Sequence, residues 1–165
     1  MRLTTLRRLL IDELQEMYIA GTMIEGALPR MEQSADAPDL KELFRKHTEQ
    51  TKAQIARLET VFEHLEDSPR GGHGLSVKAL LSETEDRMGE GGDPHVVDAS
   101  LIAAAKRVEH WEIASYSTAQ AYAKAMDQPD VAWALGQTLE ESQAADARLT
   151  AMADKVHNVE PAKPK

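Results

Sequence analysis

Leu3, Leu10, Met17, Ile24 and Met31 recur every seven residues, and Leu14, Gly21 and Leu28 interleave with them. Residues 3 to 33 therefore read as one long helix with a single apolar stripe. Such a helix has no core of its own, so the stripe must be covered by other helices. Three further stripes are present. Leu40, Phe44, His47, Thr51, Gln54, Leu58, Val61 and Leu65 form the seam of a second helix reaching to about Glu66, opened by Ser34 and Asp36 as caps ahead of Pro38. Ile102, Ala105, Glu109, Glu112, Tyr116, Ala119 and Ala123 do the same for a third long helix from about Pro94 to Met126. In a fourth, from about Asp130 to His157, Val131, Leu135, Leu139, Ser142, Asp146, Leu149, Ala153 and Val156 face inward, and Pro129 before it marks a tight turn.

The order of these helices selects a topology. The stretch DSPRGGHG at 67–74 breaks the second helix through Pro69 and three glycines, a short helix is expected over 75–88, and GEGGDP leads into the third long helix. Helices of about 30 residues span roughly 45 Å, and a connector over 67–93 with a helical middle reaches roughly 60 Å, enough to travel their length. Two short-turned antiparallel hairpins joined by a long crossover make an all-α, ferritin-like four-helix bundle with a short fifth helix in the crossover. The halves also echo each other, with 29 residues from Gly21 to Gln50 and 30 from Glu112 to Ser142. A length of 165 residues with 42% hydrophobic content suits one domain over 1–157, leaving 158–165, with its EPAKPK end, as a frayed tail.

Composition narrows the chemistry. Without cysteine there is no disulfide, thiolate nucleophile or Cys-based metal site. A net charge of -9, from 28 acidic and 19 basic residues, repels phosphate backbones, and Arg2, Arg7 and Arg8 read as a solvated first turn, so no nucleic acid partner is expected. The run LRRLLIDELQEMY meets Asp12 and Glu13 too early for a signal peptide or membrane span, so no membrane partner and a cytoplasmic location are expected. Neither a phosphate-binding glycine loop nor a Ser/His/Asp arrangement is legible.

The four stripes turn polar or small at one common level. Gly21 from helix one, Gln50 and Gln54 from helix two, Glu109 and Glu112 from helix three, and Ser142 and Asp146 from helix four meet there. A dimetal carboxylate centre in such a bundle takes oxygen ligands from all four helices with a nitrogen donor for each ion. Only three of these seven residues are carboxylates. Glu109 and Glu112 stand one turn apart on one face, with Ala105, Tyr116 and Ala119 pointing inward around them, so burial is expected. A buried pair needs a proton, a cation or amide donors to share its charge, and Gln50 and Gln54 are placed to donate. Gly21 leaves space at its seam position, to be filled by close helix packing, Tyr18 or a water. His47, one turn before Gln50, reads as a satisfied core residue, His110 as facing sideways, and His64, His73 and His95 as too scattered for a metal cluster.

The runs DELQEMYIAGTMIEGALPRM, HTEQTKAQIARLETVFEHL, DASLIAAAKRVEHWEIASYSTAQAYA and QTLEESQAADARLT resemble the YciE/YciF family of bacterial ferritin-like stress proteins. The likeness runs from Leu3 to about Ala153, and LIAAAKRVEHWEIASY is its most specific part. It implies a cytoplasmic, stress-associated homodimer with a rubrerythrin-like or ferritin-like dimetal site. The family pattern is similar to YxAE in helix one, a Glu just before Thr in helix two and Glu-Glu-Lys in helix four. Against that pattern Gly21, Gln50 and Ser142 stand as lost ligand positions, and Glu109, Glu112, Asp146 and Gln54 as residual metal candidates. The expectation is a degenerate, metal-free site without cofactor in a non-catalytic dimeric scaffold. The alternative is a di-iron or manganese oxidase or peroxide-handling enzyme in which Glu49 or Glu25 substitutes for a lost ligand.

Overall fold

The computed structural model describes residues 5–157, with side chains as far as Lys155. Leu3, the side chain of Val156 and the tail over 158–165 lie outside the described residues. Five helices follow one another: α1 (Leu6–Ser34), α2 (Pro38–His64), α3 (Leu75–Glu90), α4 (Pro94–Ala125) and α5 (Pro129–His157), with no strand among the described residues. α1 packs on α2 and α4, α5 packs on α4 and α2, and α3 lies across α1 and α4. The first half of α1 meets the ends of α2 and α4 and the start of α5, whereas its second half meets the starts of α2 and α4. That pairing makes α1 antiparallel to both α2 and α4. It is the two-hairpin bundle with a crossover helix.

The stripes bury as the periodicity predicts. Leu10, Leu14, Met17, Ile24, Leu28 and Met31 of α1 are all buried, each large aliphatic contributing on the order of 2 kcal/mol of transfer free energy. The core divides in two. One apolar cluster joins Ile24, Leu28, Phe44, Leu101, Ile102 and Leu149, and the other joins Leu10, Leu14, Leu58, Phe62, Tyr116 and Leu135. Between them runs a buried polar layer comprising His47, Thr51, Gln54, Glu109, Glu112, Thr138 and Ser142.

Helix ends differ from the sequence expectation in one instructive place. α2 begins at Pro38 behind Ala37, and neither Ser34 nor Asp36 caps it. Asp98 of α4 takes that role from outside, its buried carboxylate accepting from the Asp36 and Ala37 backbone N–H groups at 2.8 and 2.9 Å. The start of α3 is held the same way by α1: Glu16 accepts from His73 and Gly74 N–H at 2.8 Å each. The preceding loop presses on α1 so closely that a Cβ on Gly72 would collide with the Gln15 carbonyl oxygen, which explains a glycine there. The turn between α4 and α5 is made by Asp127 in the left-handed region (φ 54°), and Pro129 is the first residue of α5 rather than part of the turn.

Candidate metal centre at the waist

Glu109 and Glu112 project from one face of α4 into the polar layer and are 0% and 2% exposed. Neither forms an ion pair with an Arg or Lys, although the charge of Arg148 acts on Glu109 from farther off. Instead Ser142 of α5 donates to Glu112 Oε2 at 3.0 Å, and His47 of α2 brings Nε2 to 3.1 Å from Glu109 Oε1. The histidine approach is off the line of a hydrogen bond, so both ring nitrogens and both Glu109 oxygens are buried without a directed partner. Among the described residues, one group of three His, Asp or Glu side chains brings a donor atom from each within 4.8 Å of the others: His47, Glu109 and Glu112.

Electrostatics decide where the protons sit. Burial, then the charge of Glu112, pushes Glu109 far above the usual carboxylate range. Burial also raises Glu112, opposed by the Ser142 hydrogen bond. Two like charges with oxygens within 4.8 Å of each other in a buried layer cannot both persist, so the pair shares a proton at neutral pH. The His47–Glu109 approach would be an ion pair only with the imidazole charged, but burial and the nearby Arg148 push His47 down to about 4. His47 is therefore neutral, and the proton belongs to the glutamates.

The other waist residues go elsewhere. Gly21 is buried against Ile55, whose Cγ1 would lie 3.2 Å from an added Cβ, so a neighbouring side chain closes the space. Tyr18 turns outward to donate to Glu59 at 2.9 Å. Gln54 donates to Glu141 at 3.1 Å, not to Glu109 or Glu112. Gln50 keeps a buried Nε2 without a partner. Asp146, placed on the inward seam by periodicity, is 22% exposed and pairs with Lys106 at 2.7 Å and His110 at 3.2 Å, so α5 is rotated to aim it at the α4 surface. Glu49 is 70% exposed and bound to Lys52 at 2.8 Å, and Glu25 is half-buried near the same lysine.

Two features escape a reading of the sequence by periodicity. His47 is on the predicted seam, but its lack of a hydrogen-bond partner depends on what α4 and α5 place opposite it. The second is a clamp between α2 and α5, in which Arg57 donates to Glu141 through both terminal guanidinium nitrogens at 2.9 and 3.0 Å and to Thr138 at 2.6 Å. Closer to the start of α2, the two helices enclose a groove of about 590 Å³ lined by Leu43, Lys46, His47, Gln50, Arg148 and Met152 among others. His47 forms part of its wall, which links the buried carboxylates to the surface.

A bundle dimetal centre takes a Glu from each of two helices and a Glu-x-x-His pair from each of the other two. The residues present do not fit it, because α1 offers Gly21 behind Ile55, α5 offers Ser142, and α2 and α4 together give one imidazole and two carboxylates. Residues 5–162 match the family model described as a domain of unknown function, DUF892. The chain belongs to this family. It is 32% identical over 160 residues to YciF of Escherichia coli K12, covering 96% of this chain and 95% of that one. The solved structure of the same E. coli stress protein superposes with a TM-score of 0.92 at 31% identity over 96% of this chain and all of that one. YcfI of Rhodopseudomonas palustris superposes at 0.86 with 36% identity, over 89% of this chain and 94% of that one. The family and the ferritin-like fold inferred from the sequence are thereby established.

Proposed function

We propose that this family member is a non-catalytic, homodimeric, cytoplasmic scaffold of stress physiology, built on a ferritin-like bundle that no longer carries a dimetal centre. One observation carries the reading: of the seven waist residues, Glu109 and Glu112 are the only carboxylates that converge, and their charge is met by the Ser142 hydroxyl and a shared proton, beside a neutral His47. Two divalent ions would bring four positive charges to two carboxylates, leaving a buried excess that the site has nothing to offset. The relatives point the same way, since YciF is named a stress protein and YcfI a candidate structural protein. No helix among the described residues is long and apolar enough to cross a membrane, which suits a cytoplasmic setting. The oxidase alternative requires Gln54, Asp146 and either Glu49 or Glu25 to leave the partners they hold.

The test is iron oxidation. Protein given two ferrous ions per chain under nitrogen and then exposed to air should oxidise iron no faster than buffer. A rapid protein-dependent phase that disappears in Glu112→Ala would restore the oxidase reading. Sedimentation at micromolar concentration should give a dimer, and a stable monomer would remove that part of the proposal.

A further inference from the structure

We infer that His47, Glu109 and Glu112 bind a single divalent transition-metal cation, reached through the groove between α2 and α5. The inference rests on the reading above that no second metal position survives. It differs from the family's implied ligand pattern in using His47, which lies outside that pattern.

Donors bound to one such cation at about 2.0–2.2 Å lie roughly 3–3.5 Å from one another. His47 Nε2 and Glu109 Oε1 are already 3.1 Å apart, and a donor of Glu112 lies within 4.8 Å of both. The second observation is independent of spacing: both nitrogens of His47, 5% exposed, have no hydrogen-bond partner, and the oxygens of Glu109, 0% exposed, meet no donor apart from the proton shared with Glu112. Buried polar atoms without partners destabilise a fold, and one that turns an unpartnered imidazole onto a buried carboxylate pair leaves a place for something that satisfies them together.

Charge and ligand type define the occupant. Two ionised carboxylates neutralise one dication and no more. One imidazole with two carboxylates suits Mn, Fe, Co or Zn rather than the all-oxygen sets of Ca or Mg. Ser142, donating to Glu112 Oε2 at 3.0 Å, fixes one ligand's orientation as an outer-shell partner does in metal sites. The groove gives access through the wall that His47 forms. Its charged lining is mixed, with Asp39 and Glu42 opposed by Lys46, Arg148 and Lys155, so it offers a route without electrostatic attraction.

Cobalt(II) is the probe, because its visible d–d absorption reports imidazole and carboxylate coordination directly. The full chain, stripped with chelator and dialysed, is titrated with cobalt and its melting temperature followed. We expect one cobalt per chain and a rise of about 5–10 °C at a hundredfold excess over Kd. Glu109→Gln, which keeps the shape of the protonated carboxyl and cannot ionise to take a cation, should melt no lower than the parent without metal and lose cobalt affinity at least a hundredfold. His47→Gln should lose the imidazole signature. Asp146→Asn should bind as the parent does. No cobalt bound, or one cobalt indifferent to both Glu109→Gln and His47→Gln, overturns the inference and leaves the scaffold reading standing. Two cobalt ions per chain overturn both.

Discussion

Protons at three residues set how stability depends on pH. Glu109 and Glu112 are raised above their ordinary value of 4.5, so the folded chain keeps a proton there that the unfolded chain releases. Stability from this source is complete below that value and is lost as pH rises through neutrality into the alkaline range. His47 acts in the opposite sense: its folded value of about 4 lies below the free value of 6.5, so stability is lost as pH falls between them. The two slopes oppose each other in mild acid. Above pH 6.5 only the glutamate slope remains, and metal-free protein should lose stability there by up to about 1.4 kcal/mol per pH unit for each proton released. Glu109→Gln should flatten this slope in urea melts at pH 6.5 to 9, and an unchanged slope would place the shared proton elsewhere. Gly21 yields a second prediction. Gly21→Ala gains about 1 kcal/mol of helix propensity, but its methyl meets Ile55 Cγ1 at 3.2 Å. The full gain should appear only in an Ile55→Ala background, and a double-mutant cycle measures the difference.

At the scale of elements, the helices are started and joined by side chains from elsewhere in the chain. Asp98, 1% exposed, accepts from two backbone N–H groups ahead of α2, 61 and 62 residues away. Asp98→Ala would leave those part-buried donors without their acceptor, at an expected cost of about 1–3 kcal/mol by urea denaturation. A change under about 0.5 kcal/mol would mean water replaces the carboxylate. Glu16 serves α3 in the same fashion, and Arg7 Nη2 reaches the Leu65 carbonyl at the end of α2 at 2.6 Å. These contacts fix the crossover to α1, and so fix which two helices lie beside each other at the waist.

Across the whole molecule, α2 and α5 are joined by apolar packing and the Arg57 clamp where α2 ends and α5 begins, and separated by the groove where α2 begins. Arg57→Ala should strip Glu141 of its ion-pair partner, leaving it the Gln54 amide, and remove the donor to Thr138, lowering stability by about 1–2 kcal/mol, since the pair is only 24% and 33% exposed. Hydrogen exchange should then quicken in α2 and α5 ahead of α1 and α4. Uniform acceleration in all helices would show that the clamp serves the bundle as a whole.

The seven-residue spacing in α1 and the matching stripes in α2, α4 and α5 determined the bundle, because a long amphipathic helix has few ways to cover its apolar face. The length of 67–93 determined the crossover in the same way. Spacing also placed Glu109 and Glu112 on one buried face, since helical geometry is local and survives folding. What periodicity leaves open is rotation by a fraction of a turn and the identity of the neighbour across a gap. Asp146 fell on the inner seam by spacing but turns to Lys106 and His110, and Gln54 turns to Glu141. His47 acquires its meaning only from Glu109, 62 residues away. Ile55 closes the space at Gly21, and Asp98 caps α2, for the same reason. A side chain's partner is a property of the assembled bundle, and only the tertiary structure could decide that the waist holds one imidazole and two carboxylates in place of a dimetal ligand set.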